Sequence, residues 1–403
     1  MTRGWQLAPL LALAACAPTT TETADAGVTI SFSLTEHWPA PTDWDGFGAG
    51  MLVTTNNSDD TLTFLSLEDQ AELFEAPVGF LPPETEGPHH VACDEGCEHL
   101  FIPISNYVPG TGSGPHGSHG TGNARGRLLK VDARTLLPLD SVVVDRSPGD
   151  ILLAHDGKTL FVSHYDLVKV QEVLSRGGSL AEMASTVAIV DGETMEKQPL
   201  LPVCAGGHGM VQSQDGNTLY VACALADQVG VVDLASTPPV VTTVDVGESP
   251  ITGPDATRHE PYALSIHPVD GKLWVSCLKS QSLRIYDPTT GTWTAGPTFD
   301  ASPMFGFFNN DGTRFMVPIR ESASVALVDT TTLELARPIL TMGPETCENA
   351  HALEPSPDGT HTFLVCEGDH RGPGTVVTLA TAVLAVVRAT PVGVYPDAVK
   401  VVR

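Results

Sequence analysis

Apolar and polar positions alternate along most of this chain in short runs broken by tight turns, and one phrase keeps returning. A small apolar strand, an Asp-Gly turn and a β-branched or aromatic strand follow one another from Ile151 through Asp156-Gly157 to Leu160-Phe161-Val162. The phrase recurs around Asp215-Gly216 before Leu219-Tyr220-Val221, Asp270-Gly271 before Leu273-Trp274-Val275, Asp311-Gly312 before Phe315-Met316-Val317, and Asp358-Gly359 before Phe363-Leu364-Val365. Alternation on both sides of Asp-Gly predicts antiparallel hairpins, because glycine accepts the positive φ of a tight turn. Apolar strands ending in aspartate recur at a regular delay, at Val131-Asp132, Val190-Asp191, Val232-Asp233, Tyr286-Asp287 and Val328-Asp329, where the carboxylate can close a turn. Each unit therefore predicts four strands, A to D from the inside outward, and units of about 40 to 50 residues of this kind predict a β-propeller.

Aligned on the hairpin, a position near the start of each A strand reads His89, Gly149, His208, Tyr262, Met304, His351 and Asp397, which predicts seven blades. The ends complement each other. Tyr395 to Val402 reads as an A strand lacking B, C and D, whereas Met51 to Asn56 and Thr61 to Leu65 read as B and C lacking A. Joining them would remove two exposed sheet edges. The expected fold is an all-β seven-bladed propeller over residues 50–403, closed by a C-terminal strand A with N-terminal strands B to D.

Leu219-Tyr220-Val221-Ala222 and Ser356-Pro357-Asp358-Gly359 resemble the phrases of YVTN-repeat β-propellers. That resemblance implies the fold. It leaves function open, since such blades carry surface-layer proteins, lactonases, haem-bearing nitrite reductases and the copper-cluster domain of nitrous oxide reductase.

Charge narrows the partners. Lys plus Arg number 21 against 48 Asp plus Glu, a net charge of -27, which argues against nucleic acid and against unaided docking on anionic lipid. Arg3 precedes an apolar run from Trp5 to Ala17, too short to span a bilayer and suited to a secretory signal. Its end, Leu13-Ala14-Ala15-Cys16, resembles the lipobox of bacterial lipoproteins. The resemblance implies a signal over 1–15, acylated Cys16 heading a tether over 16–49, and, because Ala17 follows the cysteine, an outer-membrane location in the bacterial envelope.

Seven further cysteines sit in a chain expected to be exported, where disulfides persist. Cys204 with Cys223 and Cys347 with Cys366 share one spacing, each joining the lead-in to strand A with the end of strand B, so both pairs are expected to bridge. Cys93 and Cys97 flank a predicted hairpin and suit a local bridge. Cys277 is left over, as a buried free thiol or a soft metal donor.

Loops before strand A and after strand B leave a propeller on one face, and the long segments fall there: Tyr107 to Arg127, Tyr165 to Thr186 with a helical pattern from Val168 to Leu174, and Gly247 to Glu260. Such loops on a rigid scaffold suit binding. The same face holds His89, His208 and His351 in the strand-A register, with His90 beside the first and His164 at a strand-B end. Converging imidazoles suit copper or zinc, with Met304 or Cys277 as further donors. Tyr262, Asp397, Arg258, His259 and Glu260 complete the candidate ligand face. Pro88-His89-His90 resembles the copper-cluster propeller, although Gly149, Tyr262, Met304 and Asp397 break its histidine ring. The expectation is a binding propeller for an extracytoplasmic protein or small ligand, with a lactonase-like or metal-dependent enzyme as the alternative; no serine elbow or phosphate loop is evident.

Overall fold

The computed structural model describes residues 50–403 except 79–86, 106–124 and 248. The signal, Cys16, the tether and most of the Tyr107 to Arg127 loop lie outside the described residues.

Seven four-stranded antiparallel sheets form the blades. Blade 1 comprises Ala92–Cys93, His99–Ile104, Arg127–Asp132 and Pro138–Val143; blade 2 comprises Pro148–Leu153, Thr159–His164, Ser185–Asp191 and Leu201–Cys204. Gly207–Gln212, Thr218–Cys223, Gln228–Asp233 and Val240–Asp245 make blade 3, and Pro261–Ile266, Leu273–Cys277, Ser282–Asp287 and Thr292–Thr298 make blade 4. Blade 5 is Phe307–Phe308, Arg314–Ile319, Ser324–Asp329 and Leu340–Thr341; blade 6 is Ala350–Pro355, His361–Cys366, Pro373–Ala380 and Ala385–Val394. In blade 7 the C-terminal strand Pro396–Val402 pairs with Met51–Asn56, which leads to Thr61–Ser66 and Glu72–Pro77, so the ends of the chain close the ring. The Asp-Gly turns sit as expected, with Gly157, Gly216, Gly271, Gly312 and Gly359 all at positive φ.

The core lies between blades. Leu160, Val162 and Ile151 of blade 2 pack with Phe101 and Leu128 of blade 1, and Phe161 and Ile189 on the opposite face of blade 2 pack with Leu219 and Val221 of blade 3. Period-two alternation explains this, since successive residues of a strand point to opposite faces and each face meets a neighbouring sheet. The innermost strand is interrupted in blades 1 and 5, where Pro88 and Pro303 make only isolated bridges to Ile104 and Ile319. A helix, α1, spans Leu167–Ser175 in the loop after strand B of blade 2, with the Asp166 side chain accepting the Lys169 N–H at its N-terminus, where the apolar pattern predicts one.

Candidate functional site

The predicted strand-A register is also where the strands bulge. Pairing with strand B shifts between Pro261 and Ala263, between Ala350 and Ala352, between Gly207 and Met210, and between Pro148 and Ile151. Blade 7 shifts between Thr54 and Asn56, opposite Val399 and Pro396. Tyr262, His351, His208, Gly149 and Asp397 therefore occupy bulge positions, and a bulge re-aims side chains away from the regular pleat.

All seven blades, bulged or interrupted, share a hydrogen bond at this register. The residue following strand B donates its N–H to the carbonyl two positions before the register residue: Ser105 to Gly87, Tyr165 to Ser147, Ala224 to Gly206, Leu278 to Glu260, Arg320 to Ser302, Glu367 to Asn349 and Asn57 to Tyr395. Six of those acceptors, all but Ser302, adopt positive φ, a conformation that side chains other than glycine tolerate only at some cost.

These register positions gather one buried cluster. His89, His208, Tyr262, Met304, His351 and Asp397 are each at most 1% exposed. The rings of His89 and His208 lie 5.5 Å apart, His90 lies 4.8 Å from His89 and 6.3 Å from His351, and His208 stacks on Tyr262 at 4.1 Å. Phe305 stacks on His351 at 5.7 Å and meets His90 edge-on at 5.2 Å. Gly149 makes room for this packing: a Cβ there would stand 2.9 Å from Cδ2 of His208.

Two of the imidazoles are oriented by buried carboxylates. Nδ1 of His90 lies 2.8 Å from Oδ1 of Asp150, whose carboxylate also accepts the N–H groups of Ile151 and Met210. Nδ1 of His351 lies 2.6 Å from Oε1 of Glu367. Glu367 also receives Nε and Nη2 of Arg320 at 2.9 and 2.5 Å and lies 2.6 Å from Nε2 of His370, which stacks on Tyr395 at 3.7 Å. Burial would raise the Glu367 carboxyl, but the Arg320 charge and these bonds hold it well below the usual range. Burial lowers His351, so it is a neutral imidazole donating Nδ1–H to an anionic Glu367. Asp397, 3.8 Å from His351 and bonded to Asn57 at 2.8 Å, is pushed well above its usual range by burial and then by the Glu367 charge. The Nε2 atoms of His90 and His351 are buried and have no hydrogen-bond partner among the described residues.

Several expected site residues do other work. Cys277 packs in the apolar core between blades 3 and 4, apart from the axial histidines, and burial pushes its thiol up. His164 has both nitrogens committed to backbone, Nδ1 to the Thr186 carbonyl at 2.8 Å and Nε2 to the Asp145 N–H at 3.0 Å, and burial drops it to about 4. This makes His164 a structural residue rather than a ligand-face residue. The backbone N–H groups of Arg258, His259 and Glu260 converge on the Asp227 carboxylate at 2.5 to 3.0 Å. Arg258 turns to Ser249 and Glu260 to Thr257 and Lys279, which orders this loop on itself. All three predicted disulfides are present: Cys93–Cys97, Cys204–Cys223 and Cys347–Cys366.

The sequence reading missed Asp150, Arg320, Glu367, His370 and Phe305. Arg320 and Glu367 share the position immediately after strand B, so the alignment that exposed the histidine register needed only to be read there as well. As they stand, no group of three or more His, Cys, Asp or Glu side chains among the described residues is placed to hold a metal ion. No described helix is long and apolar enough to cross a membrane.

The fold and this axial cluster define a seven-bladed β-propeller with a histidine-rich centre. No family profile and no curated protein matches the chain. Solved structures do: it is similar to the periplasmic gluconolactonase of Pseudomonas aeruginosa, at 16% identity and a TM-score of 0.63 over 88% of this chain and 99% of that one. It is also similar to the hydrazine synthase of Kuenenia stuttgartiensis, at 16% identity and 0.59 over 83% and 94%. A functionally unknown protein from Desulfotomaculum acetoxidans matches at 12% identity and 0.61 over 87% and 98%. At these identities the likeness is one of fold.

Proposed function

We propose that this protein is an extracytoplasmic binding propeller, tethered to the bacterial outer membrane by lipid on Cys16, whose loop-bearing end takes its ligand at the axial histidine cluster. The signal-like run from Trp5 to Ala17 and the lipobox-like Leu13-Ala14-Ala15-Cys16 support this location, and the disulfides suit an oxidising compartment. The observation that carries the site is the pair of carboxylate-oriented imidazoles, His90 and His351, each with a buried Nε2 left without a partner among the described residues. Buried polar atoms are rarely left so. Metal-ligating histidines characteristically give their other N–H to a carboxylate, which fixes the tautomer and raises the basicity of the free nitrogen. The donors therefore suit a late first-row transition ion, copper or zinc, with His89 and His208 beside the pair and Met304 favouring Cu(I). Such an ion needs further donors, from rotation of the neighbouring rings or from an exogenous ligand.

Metal analysis of the purified full-length protein after incubation with copper or zinc tests this. The wild type is expected to retain stoichiometric metal and the His90→Ala/His351→Ala variant to lose it. Equal retention by both would overturn the site, as would a wild type that retains none. A second reading, lactone hydrolysis, has the structural likeness to a gluconolactonase in its favour; no positioned base paired with an electrophile-activating group emerges from the cluster, and little turnover of gluconolactone is expected. Metal-dependent turnover abolished by His89→Ala or Glu260→Ala would put that reading first.

A further inference from the structure

At the end of the molecule opposite the axial cluster, consecutive blades leave crevices between their hairpins, and two of them differ in an informative way. The crevice between blades 1 and 2, about 190 Å³, is lined by Phe101, Lys130, Gly192 and Glu193 among others. The buried Lys130 fills it from within: its Nζ donates to the carbonyls of Gly192 and Glu193 at 2.8 and 3.2 Å and lies 5.9 Å from the Phe101 ring centroid.

The crevice between blades 2 and 3 is the same place one blade further on. Phe101 pairs with Lys130, and Phe161 pairs with Ile189, so Phe161 stands where Phe101 does and Ile189 where Lys130 does. Leu234 follows Asp233 as Gly192 follows Asp191. With isoleucine in place of lysine the crevice opens to about 450 Å³, floored by Phe161, Ile189 and Leu234. Its rim carries Asp156 and Asp215, and its lining includes neither lysine nor arginine. Bonds from Ser213 and Asn217 hold Asp215 down to about 2. Partial burial raises Asp156, but bonds from Thr159 and Lys158 outweigh it and leave it lowered. Both are ionised at neutral pH. Each carboxylate accepts three hydrogen bonds within its turn, which leaves lone-pair capacity for one more donor.

We propose that the crevice between blades 2 and 3 is a binding site for a primary ammonium on an aliphatic stem, which would occupy the space that Lys130 fills in the preceding crevice. The stem would lie on Phe161 and Ile189 while the ammonium meets Asp156 and Asp215, an arrangement that combines apolar contact, a charge-assisted hydrogen bond and the face of an aromatic ring. A lysine side chain of another protein and a free alkylamine present the same chemistry.

The test is calorimetric titration of the full-length protein with n-pentylamine and with a peptide carrying one lysine, against n-pentanol and the lysine-acetylated peptide. Saturable binding of at least one amine and neither control is expected; the peptide alone points to a protein partner, pentylamine alone to a small amine. Asp156→Asn/Asp215→Asn keeps the Oδ1 acceptors of both turns while removing the charges, and should weaken binding about tenfold or more. Ile189→Lys, which supplies the missing lysine from within, should abolish it; if that variant does not fold, the asparagine pair decides. Absence of amine binding, equal binding of pentanol, or unchanged affinity in the asparagine pair would overturn the proposal.

Discussion

Single residues at the centre of this propeller are held by charge and burial acting in opposite directions. Glu367 is held well below the usual carboxylate range because Arg320 lies against it, whereas burial and then the Glu367 charge push Asp397 nearby well above that range. Their effects on stability oppose each other in acid. A lowered carboxyl such as Glu367 loses its contribution as pH falls below its unfolded value, while a raised one such as Asp397 contributes only in acid and loses that contribution as pH rises. His164 acts at milder pH. Its folded value of about 4 against the ordinary 6.5 means that it stabilises the fold above 6.5, and this contribution is lost as pH falls toward 4. The full effect is about 3 kcal/mol. Urea unfolding between pH 7 and 4 should therefore show a steeper loss of stability in the wild type than in His164→Gln, whose amide does not titrate; parallel curves would contradict the structural role given to this histidine.

Among elements, the bulged start of strand A does the most to shape the site. A regular strand would alternate its side chains between the two neighbouring blades, and the extra residue breaks that alternation to turn one side chain out of the pleat. The disulfides pin two of these entrances. Cys204–Cys223 and Cys347–Cys366 each join the approach to strand A to the end of strand B, beside His208 and His351. Non-reducing peptide mapping should recover both pairs together with Cys93–Cys97, leaving Cys277 alone to react with a thiol reagent after unfolding. Replacing Cys347 and Cys366 by serine should cost about 2 to 4 kcal/mol. Crossed pairing in the map would contradict the blade alignment.

At the scale of the whole molecule, closure by the C-terminal strand removes the two edges an open ring would expose, and it brings Asp397 to Asn57 across the joint. Attachment is a separate matter from folding. Lipid on Cys16 would hold the propeller at a membrane surface without a spanning helix, so Cys16→Ser should move the protein from the membrane pellet to the soluble fraction with its unfolding midpoint unchanged. Continued retention in the pellet would remove the anchor from the proposal.

The blade count, the hairpins, the ring closure, the disulfide pairs and the histidine register were all determined by the sequence itself, because they follow from local periodicity, turn chemistry and spacing, which repeat every blade and can be compared with one another. What only the tertiary structure decided is which groups meet across the axis. Nothing local distinguishes His164, consumed by backbone, from His351, whose Nε2 is left without a partner among the described residues, since the difference lies in neighbours 22 and 16 residues away. Arg320 reaches Glu367 only because the ring sets the ends of adjacent B strands side by side, while His370 meets Glu367 within one turn. Cys277, in the strand-B register of two bridged cysteines, faces an apolar core between blades. Register specifies a residue's level in its blade, while the geometry of the closed ring specifies its partners.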